Sequence, residues 1–346
     1  MHEMENMCYN SAMENNPQGA PAPIRKPTFC CIGIAPACML RCKMCFFWQN
    51  QYRKDPQEPT LYDWYDFIDQ LADLHDRKIE INLAGGEPLS DKRNLALVRF
   101  GSKKGLFTSL NSNGFLINKG MAQALADSGL NLLVISLDSI DRNTHDFLRG
   151  VTGSYDRVMR AIDYFDKCPG HLQIWIQAII LERNLEHIIK LTEWVQAHRR
   201  IKRIVFQAVA QPFNTPLVDG WQHKKEYSAL WPQDIAKVQE ALDELIRFRR
   251  AGYKITNTVA QLETFKRYFQ KPTEFIKAAG CNVDFYMNIN HLGQVYMCTR
   301  KEPIGHIKQG HPHQIWYSET AARVRNQIRQ CRLNCHHLIN CCYEEE

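Results

Sequence analysis

Three of the thirteen cysteines in this 346-residue sequence fall within eight positions, Cys38-Met-Leu-Arg-Cys42-Lys-Met-Cys45. The spacing is C-x3-C-x2-C, just after a short apolar run that reads as a strand. Cysteine thiolates hold iron–sulfur clusters, normally four per [4Fe–4S] cube. This loop offers three and no fourth nearby, so a cube held here keeps one iron open, and an open metal position is where a small molecule is bound and activated. The same sulfurs also suit a structural zinc, which needs a fourth ligand. The nearest downstream histidine, His75, falls inside a predicted helix.

A second cysteine group closes the chain: Cys281, Cys298, Cys331, Cys335, Cys341 and Cys342. One cube takes four thiolates and two take about eight, so six cysteines predict one auxiliary cluster with one or two to spare. Four ligands are expected from Cys281, Cys298, Cys331, Cys335 and Cys341. The adjacent Cys341 and Cys342 point differently and do not both serve one cluster. His336 and His337 read as surface histidines, and a structural zinc is the alternative occupant. Cys8, Cys30, Cys31 and Cys168 receive no role, since free cysteine is often a small buried hydrophobe.

The chain between 28 and 210 alternates short apolar runs with longer amphipathic ones. Strands are predicted at 28–34, 79–84, 106–110, 132–137, 173–179 and 203–208, and helices at 62–74, 118–128, 141–148, 155–166 and 184–198. Such alternation predicts a parallel sheet with right-handed crossovers, and in parallel barrels the chemistry sits at the C-terminal strand ends. The polar motifs fall there. Gly85-Gly86-Glu87-Pro88 follows the second strand, where paired glycines let backbone approach a ligand closely. Asn111-Ser112-Asn113-Gly114 follows the third, and Ser136-Leu137-Asp138-Ser139 the fourth. Arg149-Gly150 ends the next helix, and a guanidinium suits a carboxylate. Gln177 and Gln207 are polar residues in apolar strands and need partners. Each also has a plain structural reading: a turn for the glycines and Asn-Gly, a helix cap for Ser136 and Asp138, a helix-end cation for Arg149.

The cysteine loop and the Gly-Gly-Glu-Pro stretch, some 40 residues apart at successive strand ends, resemble the radical S-adenosylmethionine (radical SAM) superfamily. The resemblance implies an open, partial (β/α)6 barrel of the α/β class with Cys38, Cys42 and Cys45 on a [4Fe–4S] cluster whose open iron is chelated by SAM. One electron then splits the S–C5′ bond, and the 5′-deoxyadenosyl radical removes a hydrogen atom from a substrate. It further implies that Gly85, Gly86 and Glu87 receive the SAM ammonium, that Asn111 lies beside the cofactor, that Ser136 and Asp138 meet its ribose, and that Arg149 meets its carboxylate; with a cofactor there, Gln177 finds in it or in the substrate the partner it needs. The family usually has an aromatic residue before the third cysteine. Here Met44 stands there, followed by Phe46, Phe47 and Trp48. Cys281-x11-Gly293-x4-Cys298 resembles the opening of a SPASM or twitch auxiliary-cluster domain, with the first gap of the later group widened by one residue.

Composition bounds the rest. With 45% hydrophobic and 23% charged residues, the sequence is that of an ordinary globular protein. No apolar run is long enough to cross a bilayer, and the first 26 residues lack the apolar centre of a secretory signal, so a cytoplasmic setting and no membrane partner are expected. Thirteen cysteines there ask for metal or redox chemistry rather than disulfides. The net charge of +6 is modest and no aromatic-plus-basic RNA module is visible, so no nucleic-acid partner is expected. The organisation read from the sequence is a tail at 1–27, the barrel at 28–232, bridging helices at 233–280 and the auxiliary domain at 281–346. The loop-rich stretch 211–231 is the candidate for substrate contact. The expected activity is reductive SAM cleavage in peptide or protein maturation, with a reductant such as flavodoxin or ferredoxin. Radical oxidation or rearrangement of a small molecule is the alternative, and a non-catalytic zinc-binding scaffold the alternative of another class. No residue is assigned as the catalytic acid or base.

Overall fold

The computed structural model describes residues 24–50, 52–75, 78–168, 170–216, 218, 220–276, 281 and 283–341. Most of the 1–27 tail, together with Cys8 and Cys342, lies outside the described residues. Six parallel strands run in chain order across one sheet: β1 (Phe29–Ala35), β2 (Glu80–Gly85), β3 (Phe107–Ser112), β4 (Leu132–Ser136), β5 (Gln173–Ile180) and β6 (Arg203–Ala208). The helices between them are α1 (Leu61–Leu74), α2 (Lys92–Lys103), α3 (Lys119–Ala126), α4 (Arg142–Arg149), α5 (Ser154–Asp166) and α6 (Ile188–Ala197). The sheet stays open, as the fold class of a partial barrel requires.

Local sequence explains the elements. Thr60 and Asp63 form a reciprocal capping box at the start of α1, and Trp64, Phe67, Ile68 and Leu71 then bury one face. Each of those burials contributes about 1.5–3 kcal/mol. Alternate β5 residues, Ile174, Ile176, Ala178 and Ile180, are buried, while Trp175, Gln177 and Ile179 face the other way and stay partly open. Helix α2 escapes the sequence periodicity because its inward face holds little more than Asn94, Leu97, Val98 and Gly101.

Beyond β6 come α7 (Ile235–Arg250), capped by Asp234, and α8 (Val259–Gln270). A hairpin then forms from β7 (Tyr286–Asn290) and β8 (Gln294–Tyr296), turning at Gly293 with φ +82°. It does not stand apart: β7 pairs in parallel with β1, so the sheet runs β6-β5-β4-β3-β2-β1-β7-β8-β9, with β9 at Gly305–His306. Three helices follow, α9 (Pro312–Trp316), α10 (Glu319–Arg329) and α11 (His336–Asn340).

The β6 edge is sealed rather than left to pair with another chain. Ile204 bonds with the backbone of Lys254 and Thr256. The buried Asn257 accepts from Phe206 N at 2.7 Å and donates to Phe206 O at 2.8 Å. Asn340 does the same for Ala208, at 2.8 and 3.0 Å, so α11 is latched onto the barrel edge. Asn257→Ala leaves two buried backbone groups of Phe206 unpaired and is expected to cost about 2–4 kcal/mol. Urea unfolding checks this, and a loss below about 0.5 kcal/mol would show the edge finds other partners.

Candidate active site

The cysteine loop leaves β1 at Ala35 and is held by three other parts of the barrel. From β2, Gly86 N donates to Ala35 O at 2.8 Å and Glu87 N to Ala37 O at 3.0 Å. From α4, Arg149 O and Leu148 O accept from Arg41 N at 3.1 Å and Lys43 N at 2.9 Å. From the segment after β6, Phe213 bridges Cys45, with Phe46 N to Phe213 O at 3.0 Å and Phe213 N to Met44 O at 3.3 Å. Two glycines make these approaches possible. A Cβ at Gly86 would lie 2.0 Å from Ala37 O, and one at Gly150, whose φ is +68°, would lie 2.1 Å from Arg41 O.

The three thiols lie within electrostatic reach of one another. Burial pushes Cys38 up to about 11 and Cys45 up to about 12, with the neighbouring thiols adding to both shifts, and burial raises Cys42 as well. Buried thiolates of like charge are unfavourable unless a cation compensates them, so the donor set fits a bound metal cluster. Asn113 Nδ2 donates to Cys38 Sγ at 3.4 Å and Met39 Sδ at 3.6 Å. Hydrogen bonds of this kind set the electronics of a cluster. The Arg149 guanidinium lies close enough to the Cys42 sulfur to oppose part of its upward shift. The role of Asn113 was hidden in sequence, where Asn113-Gly114 reads as a turn.

Two of the residues expected at SAM are engaged within the chain. The Glu87 carboxylate is fully buried, and its oxygens accept from Leu89 N at 3.0 Å, Ser112 Oγ at 2.9 Å and Asn113 N at 2.8 Å. Its side chain is spent on tying β2 to the end of β3, and through it Asn113 is aimed at Cys38. What the motif turns outward is backbone, at the exposed Gly85. Asp138 is likewise fully buried. It accepts from Arg149 Nε at 2.8 Å and Ile179 N at 3.1 Å. Arg149 is thereby held between Asp138 and Cys42, and that is where its charge is used.

Asn111, Ser136 and Gln177 do share one face. Register pairs Asn111 with Val134 and Ser136 with Gln177 across neighbouring strands, and all three polar residues are partly exposed. Asn111 accepts from Asn82 Nδ2 at 3.1 Å, which also donates to Ser109 Oγ at 2.7 Å. Glu80 bonds Ser109 in the same row, and burial raises its carboxyl to about 7. The 211–231 stretch divides in two. Its start grips the cysteine loop, with Asn214 Nδ2 on Asn50 Oδ1 at 2.8 Å. Its end packs on α8, with Trp231 at 5.3 Å from both Tyr268 and Phe269.

At the other cysteine group, Cys281, Cys298, Cys331 and Cys335 line one small cavity of about 70 Å³ with His337 and Arg300. Cys341 is not among its lining residues, which distinguishes it from the other four candidates. Burial raises Cys281 to about 11, and the other three cysteines of the cavity add to this. His336 and His337 are not surface residues. Both are half-buried, with His336 edge-on to Phe213 at 4.6 Å. Nδ1 of His337 is buried and has no partner. A sulfur-rich cluster in that cavity would supply one. Among the described residues no three His, Cys, Asp or Glu side chains close on a single-ion position. A cube holds its thiolates further apart than one zinc ion does.

The comparisons with known proteins agree with this layout. A model of the radical SAM superfamily matches residues 32–195, and one of an iron–sulfur cluster-binding domain, SPASM, matches 281–337. Residues 32–195 are a radical SAM domain and residues 281–337 a SPASM domain. SAM and a [4Fe–4S] cluster come with the first, and an auxiliary iron–sulfur cluster with the second. The chain is 33% identical over 127 residues to an AdoMet-dependent heme synthase of Methanosarcina barkeri, covering 37% of this chain and 35% of that protein. It is 25% identical over 270 residues to the PqqA peptide cyclase of Rhizobium meliloti, covering 77% and 67%. The first three curated relatives are spanned over 35%, 41% and 44% of their lengths. Among solved structures, Streptococcus suis SuiB bound to S-adenosylmethionine superposes with a TM-score of 0.66 at 19% identity, over 91% of this chain and 72% of that one. Native anSMEcpe with bound AdoMet and Cp18Cys peptide gives 0.63 at 18%, over 91% and 88%. Both likenesses concern the fold.

Removing one partner of the buried Asp138–Arg149 pair leaves the other charge uncompensated. Arg149→Met is expected to destabilise the protein by about 3–5 kcal/mol. The double variant Asp138→Asn/Arg149→Met is expected to recover part of that loss. Denaturant midpoints decide it, and a single variant as stable as the parent would mean the pair is not closed to solvent.

Proposed function

We propose that this protein is a radical SAM enzyme that matures a peptide or protein, cleaving S-adenosylmethionine reductively and taking a hydrogen atom from the substrate. The observation that carries the reading is the loop of three cysteines, one buried and two partly so, gripped from β2, α4 and the segment after β6, beside a polar row on the inner face of the sheet. When bound, a cube on Cys38, Cys42 and Cys45 supplies the electron for S–C5′ cleavage at its open iron. Arg149 and Asn113 steady the sulfurs of Cys42 and Cys38, Gly85 and Gly86 offer backbone to the ammonium, and Asn111, Ser136 and Gln177 line the cofactor's side of the barrel. Cys281, Cys298, Cys331 and Cys335 ligate one auxiliary [4Fe–4S] cluster.

A peptide substrate is supported by the length of the match to a peptide cyclase, which extends over 77% of the chain, far beyond the 37% shared with the heme synthase. The fold relatives crystallised with peptides support it too. The division into a barrel at 28–232, bridging helices at 233–280 and an auxiliary domain at 281–346 belongs to this reading. So do a cytoplasmic setting and a flavodoxin or ferredoxin as reductant. Among the described residues no helix is long and apolar enough to cross a membrane.

The test is iron and 5′-deoxyadenosine in anaerobically prepared protein. Replacing Cys38, Cys42 and Cys45 together with Ala is expected to remove about four iron per chain and all SAM cleavage. Cys335→Ala is expected to deplete the auxiliary cluster, and Cys341→Ala to leave iron unchanged. SAM cleavage that survives the triple change would end the assignment, and iron loss in Cys341→Ala would revise the auxiliary set. Incubation with SAM, reductant and the product of a short reading frame beside the gene should shift the mass of that peptide; turnover of a small molecule alone would favour the alternative substrate class.

A further inference from the structure

A cluster on the cysteine loop needs an electron from outside, and the structure restricts where a donor can approach. Cys42 is buried, while Cys38 and Cys45 are partly so. On the Cys45 side the loop is covered by Phe213, and on the Cys38 side by Asn113 and Met39. What remains is the side where Arg41 and Lys43, the residues flanking Cys42, are exposed. Their amides are bonded to Arg149 O and Leu148 O, so the loop and the last turn of α4 form one continuous surface.

That surface has its own character. Phe147 is 41% exposed, and the Lys43 ammonium and the Arg183 guanidinium each sit 5.3 Å from its ring centroid. Beside it opens a cavity of about 330 Å³, lined by Lys43, Asp146, Phe147, Gly150 and Thr152 among others. The nearby carboxylates are engaged. Asp146 accepts from Gly153 N, Ser154 Oγ and Tyr155 N. Asp141 caps α4 through Thr144 N and offsets part of the Arg183 charge, and Asp156 holds Arg142. Among the described residues, Arg41 and Lys43 have no carboxylate within ion-pair distance. Three exposed cations, Arg41, Lys43 and Arg183, therefore surround an exposed aromatic ring beside the anionic Asp146, the pattern of a polar-rimmed contact patch. The backbone contact from Leu148 to Lys43 lies one residue from both Arg149 and Cys42, so a partner seated here is close to the buried sulfur.

We propose that the face formed by Arg41, Lys43, Phe147 and Arg183 docks an acidic one-electron carrier protein of the flavodoxin or ferredoxin type, which reduces the cluster on the cysteine loop. This rests on the reading that Cys38, Cys42 and Cys45 hold that cluster. The step is a single outer-sphere electron transfer: the carrier is oxidised by one electron, the cluster is reduced by one, and no bond forms or breaks in docking. Phe147 provides the apolar contact and the cations orient the carrier, so association is steered and depends on ionic strength.

The experiment compares Lys43→Glu/Arg183→Glu with the parent protein, measuring 5′-deoxyadenosine formation driven by a reduced acidic flavodoxin or by dithionite. With flavodoxin at low salt the variant is expected to be slower by about tenfold or more, and the salt dependence of the parent is expected to flatten. With dithionite the two should be equal, with the same iron content. Arg183→Glu alone, remote from the cysteines in sequence, covers the case in which the double change disturbs the loop; it should give a smaller loss with flavodoxin and none with dithionite. Equal flavodoxin-driven rates in parent and Arg183→Glu would overturn the docking face. So would a raised peptide KM with unchanged flavodoxin dependence, which would make this a substrate surface. If the parent itself gave no dithionite-driven cleavage, the cluster reading beneath the proposal would fail instead.

Discussion

The site depends on how closely backbone can approach the cysteine loop. Ala37 O and Arg41 O are met by Gly86 and Gly150, at positions where any side chain would collide. With these contacts the loop is fixed from β2 and from α4 at once, and the bridge to Phe213 fixes it a third time. The one sulfur-bearing loop thereby holds its shape, with Leu40, Cys42 and Met44 turned into the core beneath it. A site built on rigid strand ends keeps its geometry better than one on free loops. The glycines thus contribute by what they lack.

Around this clamp the buried charges serve position more than stability. Glu87 and Asp138 are both shut in; Glu87 exchanges hydration for three hydrogen-bond donors, two of them from the end of β3, and Asp138 for two donors from α4 and β5. Glu87 carries β2 to the end of β3 and orients Asn113 toward Cys38. Asp138 carries β4 to β5 and orients Arg149 toward Cys42. Two of the three thiolate positions therefore have a polar partner whose place is set by a carboxylate one step further out, which is how outer partners commonly tune a metal site. Phe213 adds a link of another kind, since it touches Cys45 through its backbone and His336 through its ring, and His336 adjoins the auxiliary cavity. The two cysteine groups, far apart in sequence, are joined through one residue of the 211–231 stretch.

Much of this was legible in the sequence, for physical reasons that differ by element. Strand β6 was readable to the residue because its apolar run starts directly after a charged stretch, and Gly150 was readable as a helix end because glycine readily takes the positive φ found there. The cysteine groups were readable because thiolate chemistry constrains spacing. The roles of Glu87 and Asp138 were not, since a carboxylate at a strand end looks the same whether it turns to a cofactor or to the chain. Register settles that, by bringing Ser112 and Asn113 to one and Ile179 to the other. The choice among Cys331, Cys335 and Cys341 depended on the path of the chain through α10 and α11, which spacing does not determine. The joining of β7 to β1 was hidden as well, because a hairpin with a buried face reads identically whether it stands alone or extends a sheet.

The central claim is that one cysteine group leaves an iron open to SAM while the other is closed. It is tested most directly by EPR of the anaerobically prepared, reduced protein with quantified iron, recorded with and without SAM. The account predicts about eight iron per chain in two cubes, with SAM shifting the signal of one and leaving the other unmoved. Zinc in place of iron, or a SAM-induced shift in both signals or in neither, would contradict it.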